Sequence, residues 1–402
     1  MKKSIKWLTI EPHTISSAAL AEWFETETDI HIEITTVPYS DITEKAIDAE
    51  VSGIAGYDIV QYWYPMLGSL VQKNVLADIT PWWDQNAAVI GPDDFIPVFR
   101  DTWCLSGGRR YGVPWDGDMH LLFYNKPLFQ KYDLQPPTTW DAYLEIARTI
   151  TEGERGNDIY GCGIMAADIP LILIGTFLNR LAGFGGDFFD AQGRPAVNSP
   201  AALAALEHLL AEMLYALPDP AQVAFDEMLG PWLAGKVGMV EFWADLGKIS
   251  DNPDGSTLVN QWGVAPLPKG PGAEGKIAAP LNAGWSLGVS TSSEQRELAL
   301  EFLSFTIRPD ISLRISTLNG GTDPSRWSIY ELPEFRNCVT DELAGAAKFA
   351  VQSAAVPWPT DALWPELQKI LHENLYLAVT QARSAKQALD DTQNAWCQIL
   401  ND

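Results

Sequence analysis

Apolar and polar residues follow two alternating periods along the first sixty positions. Residues 5–10 (IKWLTI) read as a buried strand, 18–24 as a helix, and 30–37 (IHIEITTV) alternate strictly, the clearest strand signal in the chain. Residues 41–51 return to helical spacing and 57–60 form a third strand. Strand, helix, strand, helix, strand predicts a parallel sheet, with ligand loops at the carboxyl ends of its strands. Those loops are 11–14, 38–40 and 61–64, which makes His13, Tyr39, Ser40, Tyr62 and Trp63 candidate binding residues.

The next informative stretch is 111–141. Pro114 cannot donate to a sheet ladder and keeps Val113 extended, so regular pairing should break there and the strand can leave one lobe for another. After the break Met119, Leu121 and Phe123 alternate with His120, Leu122 and Tyr124, and Asp116, Gly117 and Asp118 precede them on an exposed loop. Thr138, Thr139 and Asp141 offer an N-cap to a helix carrying Ala142, Tyr143, Ile146 and Ala147. Further on, 171–181 and 199–214 read as helices, 235–243 and 261–265 as strands, and 266–280 as a linker rich in Gly and Pro. Residues 282–290 form another extended segment, followed by a helix with Ser293 as its cap and Leu298, Ala299, Phe302, Leu303 and Phe305 on its apolar face. The remainder to residue 402 is helical, and there is no internal repeat.

At 402 residues the chain exceeds what one core usually supports, so two compact units are expected. Its net charge of -25 argues against nucleic acid and anionic membrane partners. The longest apolar run, 169–178, is too short to span a bilayer. Met1, Lys2 and Lys3 resemble the charged start of a signal peptide, but no apolar stretch of the required length follows. Cys104, Cys162, Cys338 and Cys397 form no metal-ligand spacing and are expected as buried free thiols, although three full pairings remain open. The glycine string at 183–186 lacks a preceding strand and the Lys and Ser/Thr of a phosphate loop. No nucleophile elbow or zinc-protease motif occurs, and Asp116 and Asp118 lie too close in sequence to straddle a glycosidic bond. Neither an enzyme nor a metal or other cofactor is expected.

Three pieces in order, Gly112 with Pro114, then Tyr124-Asn125-Lys126, then Pro137-Thr138-Thr139-Trp140, resemble the first inter-lobe crossing of bacterial extracellular solute-binding proteins of the sugar-binding group. The glycine-rich segment 183–195, Gly235-Lys236 before an apolar strand and the Pro-rich exit of 261–268 extend that resemblance. It implies an α/β, two-lobed periplasmic-binding-protein fold of type II with three hinge crossings. The lobes implied are 1–113 plus 284–322, and 114–283 plus 323–402, with 320–326 as the third crossing. It implies a monomeric substrate-binding protein of an ABC importer, periplasmic or extracellular, with any signal peptide removed. A carbohydrate ligand would be captured between the lobes by hinge closure and handed to the membrane permease subunits.

Sugars offer flat C–H faces edged by hydroxyls, so their sites combine aromatic rings with planar polar groups. Sixteen Trp residues leave ample choice; those near strand ends and crossings are Trp63, Trp115, Trp243, Trp285, Trp327, Trp358 and Trp364. The resemblance places Tyr62 on a ligand-touching Trp, Asp118 on a sugar-binding Glu and Trp364 on a C-terminal stacking Trp. Another stacking position falls near Asp245, with Trp243 close by, whereas Pro65 and Met66 replace an acid and an Arg that bind sugar. Asp116, Asp118, Asp245, Asn282 and Arg326 are the expected hydrogen-bonding set, with Gly284 at the return crossing. The alternative solute is a cation such as a polyamine, held by aromatic walls and carboxylates; a glycoside hydrolase is the remote alternative.

Overall fold

A computed structural model describes residues 3–52, 56–271, 278–280 and 284–401, with 278–280 and 354–356 as backbone. Its principal strands are β1 (Ser4–Ile10), β2 (His31–Val37), β3 (Ile59–Trp63), β4 (Val113–Asp116), β5 (His120–Asn125), β6 (Tyr160–Gly163), β7 (Val237–Trp243), β8 (Trp262–Ala265) and β9 (Trp285–Val289). The chain divides into two compact units. One comprises Met1–Asp118, Ala283–Val339 and Pro357–Pro365; the other comprises Met119–Asn282, Thr340–Val356 and Glu366–Asp402.

In the first unit the sheet order is β2-β1-β3-β9-β4. β1 pairs in parallel with β2 and β3, as the sequence predicts, and β9 runs antiparallel to both β3 and β4. β3 is buried at all five positions, as befits a strand covered on both faces. Trp7 of β1 packs edge-on against Phe302, which also meets Phe24, so the helices Thr14–Thr28 and Arg296–Thr306 close over one face. Pairing does not stop at Pro114. β4 is the edge strand, where a missing donor is tolerated, and Pro114 faces Ser286 across the ladder. The ladder instead shifts register between Trp285 and Ser286, with Trp285 opposite Asp116. Gly112, the first residue of the family pattern, is required by close approach: a Cβ there would lie 2.2 Å from the Tyr62 hydroxyl.

In the second unit the order is β8-β5-β7-β6, with β5 antiparallel to both neighbours and β6 parallel to β7. Phe123 on β5 sits between Trp232 and Trp262. The helix Trp140–Gly153 begins at Thr139, whose hydroxyl accepts the Ala142 N–H at 3.2 Å. The helix Pro170–Gly183 is buried along nearly its whole length. Among the described residues no helix is long and apolar enough to cross a membrane.

The ends of the units differ from the expected lobes. Residues 114–118, 323–339 and 357–365 belong to the first unit, because β4 pairs with β9 and local bonds tie the other two stretches down. Arg326 donates to the Ile90 carbonyl at 2.8 Å and the Ile307 carbonyl at 2.5 Å, and the Trp358 N–H donates to the Tyr64 hydroxyl at 2.8 Å. Residues 320–326 thus fall within the first unit. Ser293 lies ahead of the helix Arg296–Thr306 rather than capping it; it accepts the Gln295 N–H and donates to Asp58. All four cysteines are free, as expected, but only Cys104 and Cys162 are buried, while Cys338 is exposed and Cys397 half-buried.

Candidate functional site

The carboxyl ends of the first unit's strands carry a polar and aromatic cluster. β1 runs into the short turn Glu11–His13, which delivers His13 to the end of the sheet. Its Nε2 lies 2.9 Å from Asp116 Oδ2, and its Nδ1 lies 2.9 Å from Gln61 Nε2 and 3.2 Å from the Trp115 indole Nε1. Gln61 Oε1 in turn accepts the Thr9 hydroxyl at 2.6 Å. The His13 ring meets Trp115 and Trp285 edge-on, with centroids 6.2 and 6.1 Å apart. Trp63 is the cross-strand partner of Trp285 on β3, so two indoles and Asp116 form a row across β3, β9 and β4.

Three carboxylates gather beside this row. Asp116, Asp118 and Asp323 each place an oxygen within 4.8 Å of the others. Asp116 Oδ1 accepts the Asp323 N–H at 2.6 Å, so both of its oxygens are engaged. Contrary to expectation, Asp116 and Asp118 are buried rather than on an exposed loop. Burial first, then the charges of Asp323, Asp116 and Asp118, hold the Tyr330 phenol well above its ordinary range. The trio offers an acceptor-rich surface suited to hydroxyl or ammonium donors. Its oxygen ligands would also suit a hard cation.

The second unit has its own constellation, at the start of β5 and the end of β7. His120 faces Trp243 across the ladder, and the two rings meet edge-on at 4.5 Å. Asn179 Nδ2 lies 2.9 Å from His120 Nδ1 and donates to Glu241 Oε2 at 2.8 Å. Arg180 forks onto both Glu241 oxygens at 2.6 Å and also pairs with Glu212, which takes His208 Nδ1 at 2.5 Å. Burial drives the His120 imidazole down to about 3, with the Asn179 bond opposing and the Arg180 charge assisting. His120 is thus neutral at physiological pH. Burial also pushes the Glu241 carboxyl up, against the pull of Arg180.

Of the residues expected to bind ligand, the structure gathers His13, Trp63, Trp115, Asp116, Asp118 and Trp285 in the first unit, and Trp243 with half-buried Asp245 in the second. Arg326 is a correction. Its guanidinium is fully buried over the Phe95 ring and is taken up by Asp94 and backbone carbonyls, a structural tie. Tyr62 is likewise buried, donating to the Trp103 carbonyl at 3.0 Å. Gly284, at φ +139°, presses against the Trp103 ring and accepts the Tyr64 N–H. Trp364 is buried in the first unit, edge-on to Trp358. Ser40 is exposed and donates to Asp41, and Tyr39 is half-buried on the same turn. Asn282 lies outside the described residues.

Sequence reasoning passed over Gln61, Asp323, His120, Asn179 and Arg180. Three left a trace: Gln61 is the one residue of IVQYW that is neither aromatic nor aliphatic, and Asn179-Arg180 interrupts an otherwise apolar helix.

The whole chain shares its fold with two-lobed ABC solute-binding proteins. It superimposes on one from Agrobacterium radiobacter K84 in complex with ribitol at a TM-score of 0.87, 20% identity and 99% and 98% coverage of the two chains. The match to maltose-bound MalE3 of T. maritima has a TM-score of 0.88, 24% identity and 98% and 99% coverage. The model of the bacterial extracellular solute-binding protein family matches residues 7–311, and the chain belongs to that family. Among curated relatives, a probable amino-acid ABC transporter periplasmic-binding protein of Sinorhizobium fredii is 25% identical over 386 residues, 94% of this chain and 84% of that one.

Proposed function

We propose that this protein captures a carbohydrate, a mono- or oligosaccharide, polyol or sugar derivative, outside the cytoplasm and delivers it unchanged to the permease of an ABC importer. The observation that carries this reading is the cluster of Trp115, Trp285 and His13 rings beside Asp116, Asp118 and Asp323. Indole faces suit the C–H faces of a sugar, and carboxylates accept hydroxyl protons through charge-assisted bonds. The buried arginines Arg110, Arg180 and Arg326 are already held by carboxylates and carbonyls, which disfavours an anionic sugar. The ribitol and maltose bound by the two structural relatives support the same class. Hinge closure and a monomeric state belong to this proposal, and small-angle scattering with and without ligand reads both.

A second reading is favoured by the carboxylate trio itself. Three acids beside aromatic rings also suit an ammonium-bearing solute, a polyamine or an amino acid. A thermal-shift screen of the purified chain against ribitol, mannitol, maltose, a sugar acid, spermidine and amino acids separates the two. A sugar or polyol at a hundred times its dissociation constant should add about 2.7 kcal/mol of stability and be recovered intact. Stabilisation by amines or amino acids alone replaces the carbohydrate reading, and conversion of the sugar overturns the assignment as a pure binder.

A further inference from the structure

His13 was expected to touch ligand, but its contacts assign it another task. An indole N–H can only donate, so the Trp115 bond at 3.2 Å makes His13 Nδ1 an acceptor. Nδ1 then carries no proton, and the proton sits on Nε2, where it is donated to Asp116 at 2.9 Å. The same polarity fixes Gln61. Its amide nitrogen shares the Nδ1 lone pair with the indole, which leaves its oxygen to accept the Thr9 hydroxyl at 2.6 Å. Thr9, Gln61, His13, Trp115 and Asp116 are all buried, so each bond forms away from competing water. On its core side Trp115 is braced edge-on by Trp7 at 5.8 Å.

We infer that His13 is a positioning residue: held by Gln61 and Thr9 as an acceptor at Nδ1 and a donor at Nε2, it sets the plane of the Trp115 indole and the orientation of the Asp116 carboxylate before any ligand arrives. The inference rests on the carbohydrate reading only for the use made of that indole face; the lock is a property of the first unit alone. Preset rings and carboxylates lower the cost of ordering on binding. Two strands and the turn after β1 are joined through one imidazole.

Nitrogen-resolved NMR of the imidazoles in the full chain tests the lock without ligand. At neutral pH His13 should show a bare Nδ1 and a protonated Nε2; a proton on Nδ1, or two tautomers in exchange, overturns it. His13→Leu removes all three side-chain bonds of the imidazole, and the Trp115 indole N–H, assigned by its loss in Trp115→Phe, should exchange with solvent at least tenfold faster. His13→Gln, which can accept from the indole and donate to Asp116, should restore most of that protection. An unchanged indole signal in His13→Leu, or no rescue by His13→Gln, overturns the positioning role. Should no sugar bind, the proposed function fails, while these signals still judge the lock; should a variant not fold, the spectrum of the parent chain still decides the tautomer.

Discussion

An indole can serve a binding protein by its face or by its N–H, and Trp115 uses the N–H inward. Trp115→Phe keeps an aromatic, though smaller, ring and loses the bond. A buried hydrogen bond is worth about 1 kcal/mol, so the dissociation constant of the stabilising sugar should rise roughly five- to tenfold in calorimetry if ring orientation matters to binding. His120 makes the opposite use of burial. Its folded-state pKa is depressed to about 3, from an ordinary value of 6.5, because the charged form is shut away from water. Above pH 6.5 both folded and unfolded chains hold it neutral, and it contributes no pH dependence. As pH falls from 6.5 towards 3 the unfolded chain takes up the proton and the folded one does not, so stability declines. Between pH 7 and 4 the parent should lose on the order of 2–3 kcal/mol more than His120→Gln in urea unfolding. Equal losses would remove His120 as the cause.

Elements inherit their positions from single residues such as these. Thr139 holds the first turn of the helix Trp140–Gly153, and Thr139→Ala should cost about 1 kcal/mol without touching the sugar affinity. Arg180 matters far more. With its side chain replaced by Met, Glu241 and Glu212 would be left buried without their cation, at a cost of about 3–5 kcal/mol in denaturant unfolding. These examples show what could be read from the chain alone. Strands β1 to β3 were legible because alternation and flanking turns are local, and Thr139 because a cap is defined by its neighbours a few residues away. Arg326 was misread because its partners, the carbonyls of Ile90 and Ile307, are distant in sequence and a backbone acceptor leaves no mark in residue type. Gln61 was passed over for a related reason: its partners Thr9 and His13 stand about fifty positions away. Pro114 was read correctly as unable to donate, but the inference that pairing must end there needed to know that β4 is an edge.

For the molecule as a whole, the resemblance carried by 111–141 pointed to the family, and the family fixed the two-lobed build. The ends of the units could not be read in the same way, since they depend on which late segments return to the first sheet. Thiol chemistry gives a global check on burial. Cys338 and Cys397 should react with a water-soluble disulfide reagent in the native protein, whereas Cys104, its thiol pushed up to about 11 chiefly by burial, and Cys162 should react only after unfolding. Four fast thiols in the native state would contradict the fold.

The place of β9 in the first sheet bears on how the protein is made. β9 lies between β3 and β4, yet it is translated long after both. At a synthesis rate of roughly 5–20 residues per second, β3 and β4 wait on the order of ten to thirty seconds for the strand that joins them. Throughout that interval the nascent first unit has an open sheet and cannot close its core. A ribosome-bound chain stalled at residue 260 should therefore be cleaved within its first hundred residues by a protease that spares the finished protein. The late strand β9, rather than the amino terminus, therefore decides when the first sheet can close.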